Sequence, residues 1–370
     1  MDMAKKGKIA VALSGGVDSS VAAALLKEQG YECIGVHLRF WNDPFACTSK
    51  LASQNKCCTV ESMRDAQEVA KKLNIPFYVV NTSDLFKKKI VDYFLKSYAA
   101  GLTPNPCVLC NRYIKFGELL KKVKRFGASG VATGHYARIV KRGGEYQLGM
   151  AHDKEKDQSY FLHQLDQKQL AQVILPLGDL KKEEVYRIAK KFGFNKIAGK
   201  KESQGICFFP EATPENFLKR NLKAGLFVGG PIVTLDGREI GLHKGLPLYT
   251  IGQRQGLGIG GVKGEPDGEP WYVIKIDRKN NSLIVGRKKD TLQNKISVYD
   301  LRFVSGKMPK NKKINVDVKI RHRALPVKGV LELHGKKVTV ITKKPLSAVT
   351  PGQFAVCYVR EKVLCGGIIK

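Results

Sequence analysis

Acidic residues are scarce in this chain. Its 370 residues hold 33 Asp and Glu against 64 Lys and Arg, a formal net charge of +31. That imbalance excludes a strongly basic partner and favours a polyanion held through phosphate contacts and counterion release. Long apolar runs are missing too. No stretch nears the roughly 20 residues needed to cross a bilayer, so no membrane partner is expected. Met1 to Gly7 leads into only five apolar residues, too few for a signal peptide, and the expected location is cytoplasmic. There is no internal repeat and no low-complexity segment. The apolar fraction of 43% is ordinary and supplies a core. At this length two or three domains are expected.

The charge is unevenly spread. From Gly286 to Lys370 stand 20 basic and 5 acidic residues, so about half the net charge lies in under a quarter of the chain. A generic basic surface would explain this, but a compact basic domain suits nucleic acid better.

What is present begins with Ser14-Gly15-Gly16-Val17-Asp18-Ser19-Ser20. It stands between an apolar strand, Lys8 to Leu13, and a helix, Val21 to Lys27. Glycines at a strand-to-helix turn let backbone N–H groups close around a phosphate at the positive end of the helix dipole. Ser14, Ser19 and Ser20 add hydroxyls, and Asp18 could hold magnesium or orient the loop. No Lys follows the last glycine, which excludes a Walker A loop. The loop resembles the pyrophosphate loop of enzymes that split ATP into AMP and pyrophosphate. A helix-capping turn is the plain alternative. With that loop in view, tRNA or rRNA is a better expected partner than DNA.

Strands and helices alternate over the first 200 or so residues. Tyr31 to Leu38 and Pro76 to Val80 read as strands, Glu61 to Leu73, Asp84 to Tyr98 and Phe116 to Phe126 as helices, and Gly130 to Gly134 as a return to the sheet. This order predicts a doubly wound, Rossmann-like parallel α/β sheet with its ligand beyond the carboxyl ends of the strands. The predicted units are an α/β unit at 1–210, a β-rich central unit at 211–287 and a basic β-barrel at 288–370.

Nine cysteines in a cytoplasmic chain do not read as a disulfide framework. Cys33, Cys357 and Cys365 lie in apolar strands and read as small core residues. Cys107-Val108-Leu109-Cys110 follows Pro104 and Pro106 and reads as a stiffened loop, and Cys207 lies in a small-residue turn. Zinc would need further ligands, and no second Cys-x-x-Cys or His-x₃-His follows. A thioredoxin-type pair belongs to a much smaller fold. An adenylated carbonyl needs a nucleophile, and a persulfide sulfur suits.

At this point the chain resembles the tRNA-specific 2-thiouridylases (MnmA), nearly end to end. The likeness rests on Ser14 to Ser20, Cys57-Cys58, Thr103 to Asn111, Gly134 to Ala137, Lys156 to Tyr160 and Gly205 to Phe208. It extends through Tyr249 to Arg254, Arg321-His322-Arg323 and Pro351-Gly352-Gln353. The resemblance implies a pyrophosphate-loop ATPase fold and ATP-dependent 2-thiolation of the wobble uridine, U34. ATP, with Mg²⁺, would meet Ala12, Leu13, Ser14, Gly15, Gly16, Val17, Asp18, Ser19, Leu38 and Gly134. Cys207 would carry a persulfide supplied by a cysteine desulfurase or a sulfur-relay protein. Cys110 would be the second thiol, freeing that sulfur through a transient Cys110–Cys207 disulfide or attacking the activated carbon. Asn105, Pro106 and Cys107 would touch the target base. His135, Lys156, Asp157, Gln158, Arg321, His322 and Gln353 would contact tRNA, with Lys, Glu and Gln acceptors expected.

One residue departs from the pattern. Better-known members carry Asp where this chain has Cys107, and a thiol of pKa about 8.5 is a poorer acid–base than a carboxyl of about 3.9. An alternative to the persulfide route is an iron–sulfur cluster on Cys107, Cys110 and Cys207 with one open iron. Two other classes compete. A different ATP pyrophosphatase would explain the loop alone, and a non-catalytic RNA-binding protein only the charge. His37, His152, His163, His243 and His334 read as structural, Cys57-Cys58 as a turn, and Gly256 to Gly268 as a loop over tRNA.

Overall fold

The structure, a computed structural model, describes residues 6–45, 60–200, 205–211, 213–259, 269–335 and 337–370. Cys47, Cys57, Cys58 and most of the Gly256 to Gly268 segment lie outside them.

Strand β1 (Lys6–Ala12) pairs in parallel with β2 (Tyr31–Arg39) on one side and β4 (Gly130–Ala132) on the other. Strands β3 (Phe77–Asn81) and β7 (Val173–Ile174) complete a five-stranded sheet of order β3-β2-β1-β4-β7. Ile9, Val11 and Cys33 face one apolar cluster, and Ala10, Ile34 and Val36 face the other. Burial on both faces explains why β1 reads as a continuous apolar run. Helix α1 (Val17–Glu28) carries Ala22, Ala23 and Ala24, small enough to pack close to the sheet. Helix α2 (Val60–Lys72) and the helical run α3 over 83–99 follow the expected positions within two residues.

The next helix departs from expectation. It starts at Pro106 instead of Phe116 and continues to 126 as α4, so Cys107 and Cys110 sit on its first turns and not in a loop. Pro106 supplies no N–H and has φ preset, which makes it a starter of helices as much as a stiffener of loops.

Strands β5 (Ala137–Arg142) and β6 (Glu145–Met150) form a hairpin that leaves the α/β sheet. Strand β6 pairs with β17 (Lys362–Ile369) of a closed barrel. The other barrel strands are β12 (Leu292–Phe303), β13 (Lys313–Lys319), β14 (Val327–His334), β15 (Lys337–Ser347) and β16 (Phe354–Val359). The order is β12-β15-β14-β13-β16-β17, and β12 pairs with β17 to close it. Between sheet and barrel lie β8 (Gly230–Thr234), β9 (Glu239–His243), β10 (Tyr272–Asp277) and β11 (Ser282–Gly286), packed around Ile232, Val273 and Leu283. Among the described residues no helix is long and apolar enough to cross a membrane.

The barrel is fastened to the α/β unit by buried polar groups. Tyr160 donates to the Phe354 carbonyl (3.0 Å), and His163 Nδ1 donates to the Tyr160 carbonyl (2.8 Å). Burial pushes the His163 pKa down to about 4, more than that hydrogen bond raises it. In the unfolded chain the ring titrates near 6.5, so the unfolded state takes up the proton first. Stability should therefore fall between about pH 6.5 and 4, by at most about 3 kcal/mol from this ring. Denaturation midpoints measured across that range should drop more steeply for the native protein than for His163→Asn. Parallel curves would remove His163 as the cause.

Candidate active site

The carboxyl ends of β1, β2 and β4 open into one cavity of about 330 Å³. Its floor is the loop after β1. Gly15 has φ +79°, and a Cβ there would lie 2.4 Å from the Ser62 carbonyl oxygen. Gly134, after β4, lies against the same loop, where a Cβ would sit 2.6 Å from the Asp18 carbonyl carbon. Neither position has room for a side chain. Within the loop the Ser14 amide donates to Ser19 Oγ (3.2 Å), and Ser19 Oγ donates to the Gly16 carbonyl (2.9 Å). Gly16 caps α1 without a side-chain acceptor, so the first amides of that helix have no side-chain cap competing for them.

Asp18 is fixed from two sides. Its Oδ1 accepts from Tyr136 Oη and from Lys182 Nζ, both at 2.7 Å. The Lys182 side chain is 7% exposed and opens the helix α5 (Lys182–Lys191). Asp18 Oδ1 is thus held by two donors from outside the loop. Asp18 is also the only carboxylate among the described lining residues. One carboxylate beside nucleotide phosphates is a donor set that suits Mg²⁺, with Ser14 and Ser19 hydroxyls nearby.

The facing wall carries sulfur. Pro106, Cys107, Cys110 and Cys207 line the cavity together with Ala12, Leu13, Ser14, Ser19, Leu38, Gly134, His135 and Gln158. Cys110 is buried, Cys107 exposed and Cys207 half-buried. Residues 208–211 anchor the Cys207 turn. Phe208 packs edge-on to Phe86, Phe94 and Phe217, and its carbonyl accepts from the Asp43 amide (3.3 Å). Arg220 clamps Asp43 and Glu211 beside it. The three thiols share a wall, yet among the described residues no three His, Cys, Asp or Glu gather closely enough to hold a metal ion.

His135 Nδ1 is 2.7 Å from Thr133 Oγ1. Burial, with help from the Lys115 ammonium, holds its pKa well below the ordinary 6.5 and keeps the ring neutral near pH 7. Gln158 exchanges two hydrogen bonds with the Tyr136 backbone.

Other expected residues lie away from the cavity. Asn105 stands at the N-cap position of α4 without a side-chain cap hydrogen bond, and Gly15, Gly16 and Val17, the first residue of α1, are not among the lining residues. Asp157 is buried, accepting from the Ala151 and Ser159 amides and from Ser159 Oγ, and it faces Lys319 of the barrel at 3.7 Å. Its carboxylate ties the hairpin to the barrel. His322 bonds the Asp157 carbonyl (2.8 Å) and stacks on Phe161, while Arg321 is exposed and Lys156 half-buried. Gln353 donates to the Thr103 carbonyl (3.0 Å), and the Thr103 amide donates to the Pro351 carbonyl (2.9 Å). Thr103 Oγ1 reaches Thr250 Oγ1 of the central unit at 3.0 Å. Three distant motifs thus meet just ahead of Cys107.

No sequence signal marks Lys182 or Lys115, and Tyr136 enters only within the Gly134 to Ala137 motif, with no link to Asp18. Lys182 is 164 residues from Asp18, and no spacing rule joins them. Lys115 lies five residues after Cys110, off the α-helical repeat. It shares the cavity because Asn111–Glu118 takes the wider π-helical turn.

Gly134→Ala should drive a methyl group into the loop backbone. Calorimetry should find ATP affinity at least about tenfold weaker, and the overpacking should lower the melting temperature as well. Unchanged affinity would separate this contact from nucleotide binding.

Comparison with known proteins agrees with this layout. Three family descriptions match consecutive segments: a tRNA methyl transferase HUP domain at 7–211, a tRNA methyl transferase PRC-barrel domain at 215–287 and an aminomethyltransferase beta-barrel domain at 293–369. The tRNA-specific 2-thiouridylase MnmA of Chloroflexus aggregans is 44% identical over 98% of this chain and 98% of its own. That of Carboxydothermus hydrogenoformans is 41% identical over 100% and 99%, and that of Clostridium acetobutylicum 40% identical over 98% and 99%. With such identity over the whole length, the chain belongs to the tRNA-specific 2-thiouridylase family.

Proposed function

We propose that this chain is a sulfurtransferase that converts the wobble uridine of tRNA to 2-thiouridine at the expense of ATP. The observation that carries the reading is one cavity bordered by the phosphate loop, Cys110 and Cys207. Activation and sulfur transfer can then occur without the base leaving the site.

The chemistry runs in two displacements. ATP lies with its phosphates on the loop amides between Ser14 and Ser19, and Leu38 and Gly134 border the nucleotide. Asp18 would hold the accompanying Mg²⁺, which offsets phosphate charge. The C2 oxygen attacks the α-phosphorus, and the bond to pyrophosphate breaks. The terminal sulfur of a Cys207 persulfide then adds to C2, and AMP leaves with the former C2 oxygen. Cys110 thiolate attacks Cys207 sulfur, releasing the thiocarbonyl base and forming a Cys110–Cys207 disulfide. An external thiol reduces that disulfide, and a cysteine desulfurase or relay protein reloads Cys207. Asn105, Pro106 and Cys107 would contact the base. With a thiol at Cys107 and a neutral His135, protons move through water or phosphate. The α/β unit at 1–210 would do the chemistry. The units at 211–287 and 288–370, with Lys156, Gln158, Arg321, His322 and Gln353, would position tRNA of the Lys, Glu and Gln acceptors.

Unmodified tRNA should be incubated anaerobically with the protein, ATP, Mg²⁺, a desulfurase and cysteine, and its nucleosides analysed by mass spectrometry. Thiouridine at position 34, lost without ATP, is the expected result. Cys110→Ser and Cys207→Ser should abolish thiouridine yet keep tRNA-dependent pyrophosphate release within about threefold, since adenylation uses neither thiol. Absence of pyrophosphate release by the native protein would overturn the reading.

The basic C-terminal unit gives a second expectation. With several phosphates neutralised, log affinity for tRNA should fall against log salt with a slope of about −5 or steeper. A flat salt dependence in filter binding would argue against a phosphate-driven interface.

A further inference from the structure

Among the described residues that line the cavity, Lys115 alone bears a fixed positive charge. The π-helical turn puts it on the same wall as Cys110, and it acts electrostatically on His135, the residue after Gly134. Among the described residues no carboxylate pairs with it, whereas Lys182 is committed to Asp18. A half-buried ammonium facing a cavity without an acid partner is suited to an anion brought by the substrate.

We infer that Lys115 is a catalytic residue that holds the α-phosphate of the nucleotide through both displacements. The inference rests on the reaction proposed above. The β- and γ-phosphates belong to the loop at the start of α1, while Lys115 stands on the wall that carries the thiols. The phosphate lying between loop and sulfur is the one bonded to the C2 oxygen. Its non-bridging oxygens carry negative charge when pyrophosphate departs and again when AMP departs with the C–O electron pair. The ammonium offsets that charge at both steps and transfers no proton.

Calorimetric titration of the full-length protein with ATP, AMP and adenosine tests this without any sulfur transfer. Lys115→Met should weaken ATP and AMP alike, by about tenfold or more, and adenosine by less than twofold. Lys115→Arg should recover most of the loss. Weakening of ATP alone would assign the contact to the β- or γ-phosphate, and equal weakening of all three would mark a structural role. Either outcome, or no change, overturns the inference. Native protein that binds ATP and AMP but makes no thiouridine sinks only the sulfur-transfer reading. Native protein that binds none of the three ligands overturns both.

Discussion

Backbone-to-backbone contact at the carboxyl edge of the parallel sheet governs this molecule. The loop after β1 is pressed from one side by the Ser62 carbonyl against Gly15 and from another by Gly134 against Asp18 and Ser19. Only residues without a Cβ allow both approaches. Gly16 at the N-cap leaves the amides at the start of α1 without a side-chain cap, and Asp18 on the first turn is held by Lys182 and Tyr136. A buried lysine on a carboxylate gains little as a source of stability, since both ions lose water. Its clearer effect is geometric, fixing the loop before a nucleotide arrives.

The second constraint is the junction of Thr103, Thr250 and Gln353. It joins the α/β unit, the central unit and the barrel immediately before the helix that carries Cys107 and Cys110. A tRNA lying across the basic barrel and the central unit would press on the segment that aims those thiols. Asp157 makes a parallel connection, its side chain buried between hairpin and barrel. Residues that invite a reading as tRNA contacts can thus serve tRNA indirectly, by holding the surface in register.

Much of this was legible in the sequence, for definite reasons. The Ser14 to Ser20 loop carries its physics in a short span, because glycines, hydroxyls and a strand–helix boundary are local facts. The alternation over 1–210 follows from apolar runs of strand length, and the barrel from short strands with period two. The start of α4 was misplaced because Pro-x-Pro suggests a stiff loop, while only the surrounding packing shows that Pro106 begins a helix. Lys115 was hidden by a π-helical turn that no 3.6-residue pattern reveals. Lys182 and Tyr136 were hidden by distance, since their meeting at Asp18 exists only once α5 folds against α1.

In the reaction proposed above, the loop activates the C2 oxygen of uridine as an adenylate, which sulfur then displaces. Transcribed tRNA carrying ¹⁸O at C2 of uridine 34 tests it most directly. After a single turnover with ATP and a sulfur donor, the AMP produced should be two mass units heavier and the tRNA should carry sulfur in place of the label. Unlabelled AMP alongside thiolated tRNA would contradict the account, because the oxygen would have left by a route that never bonded to phosphorus.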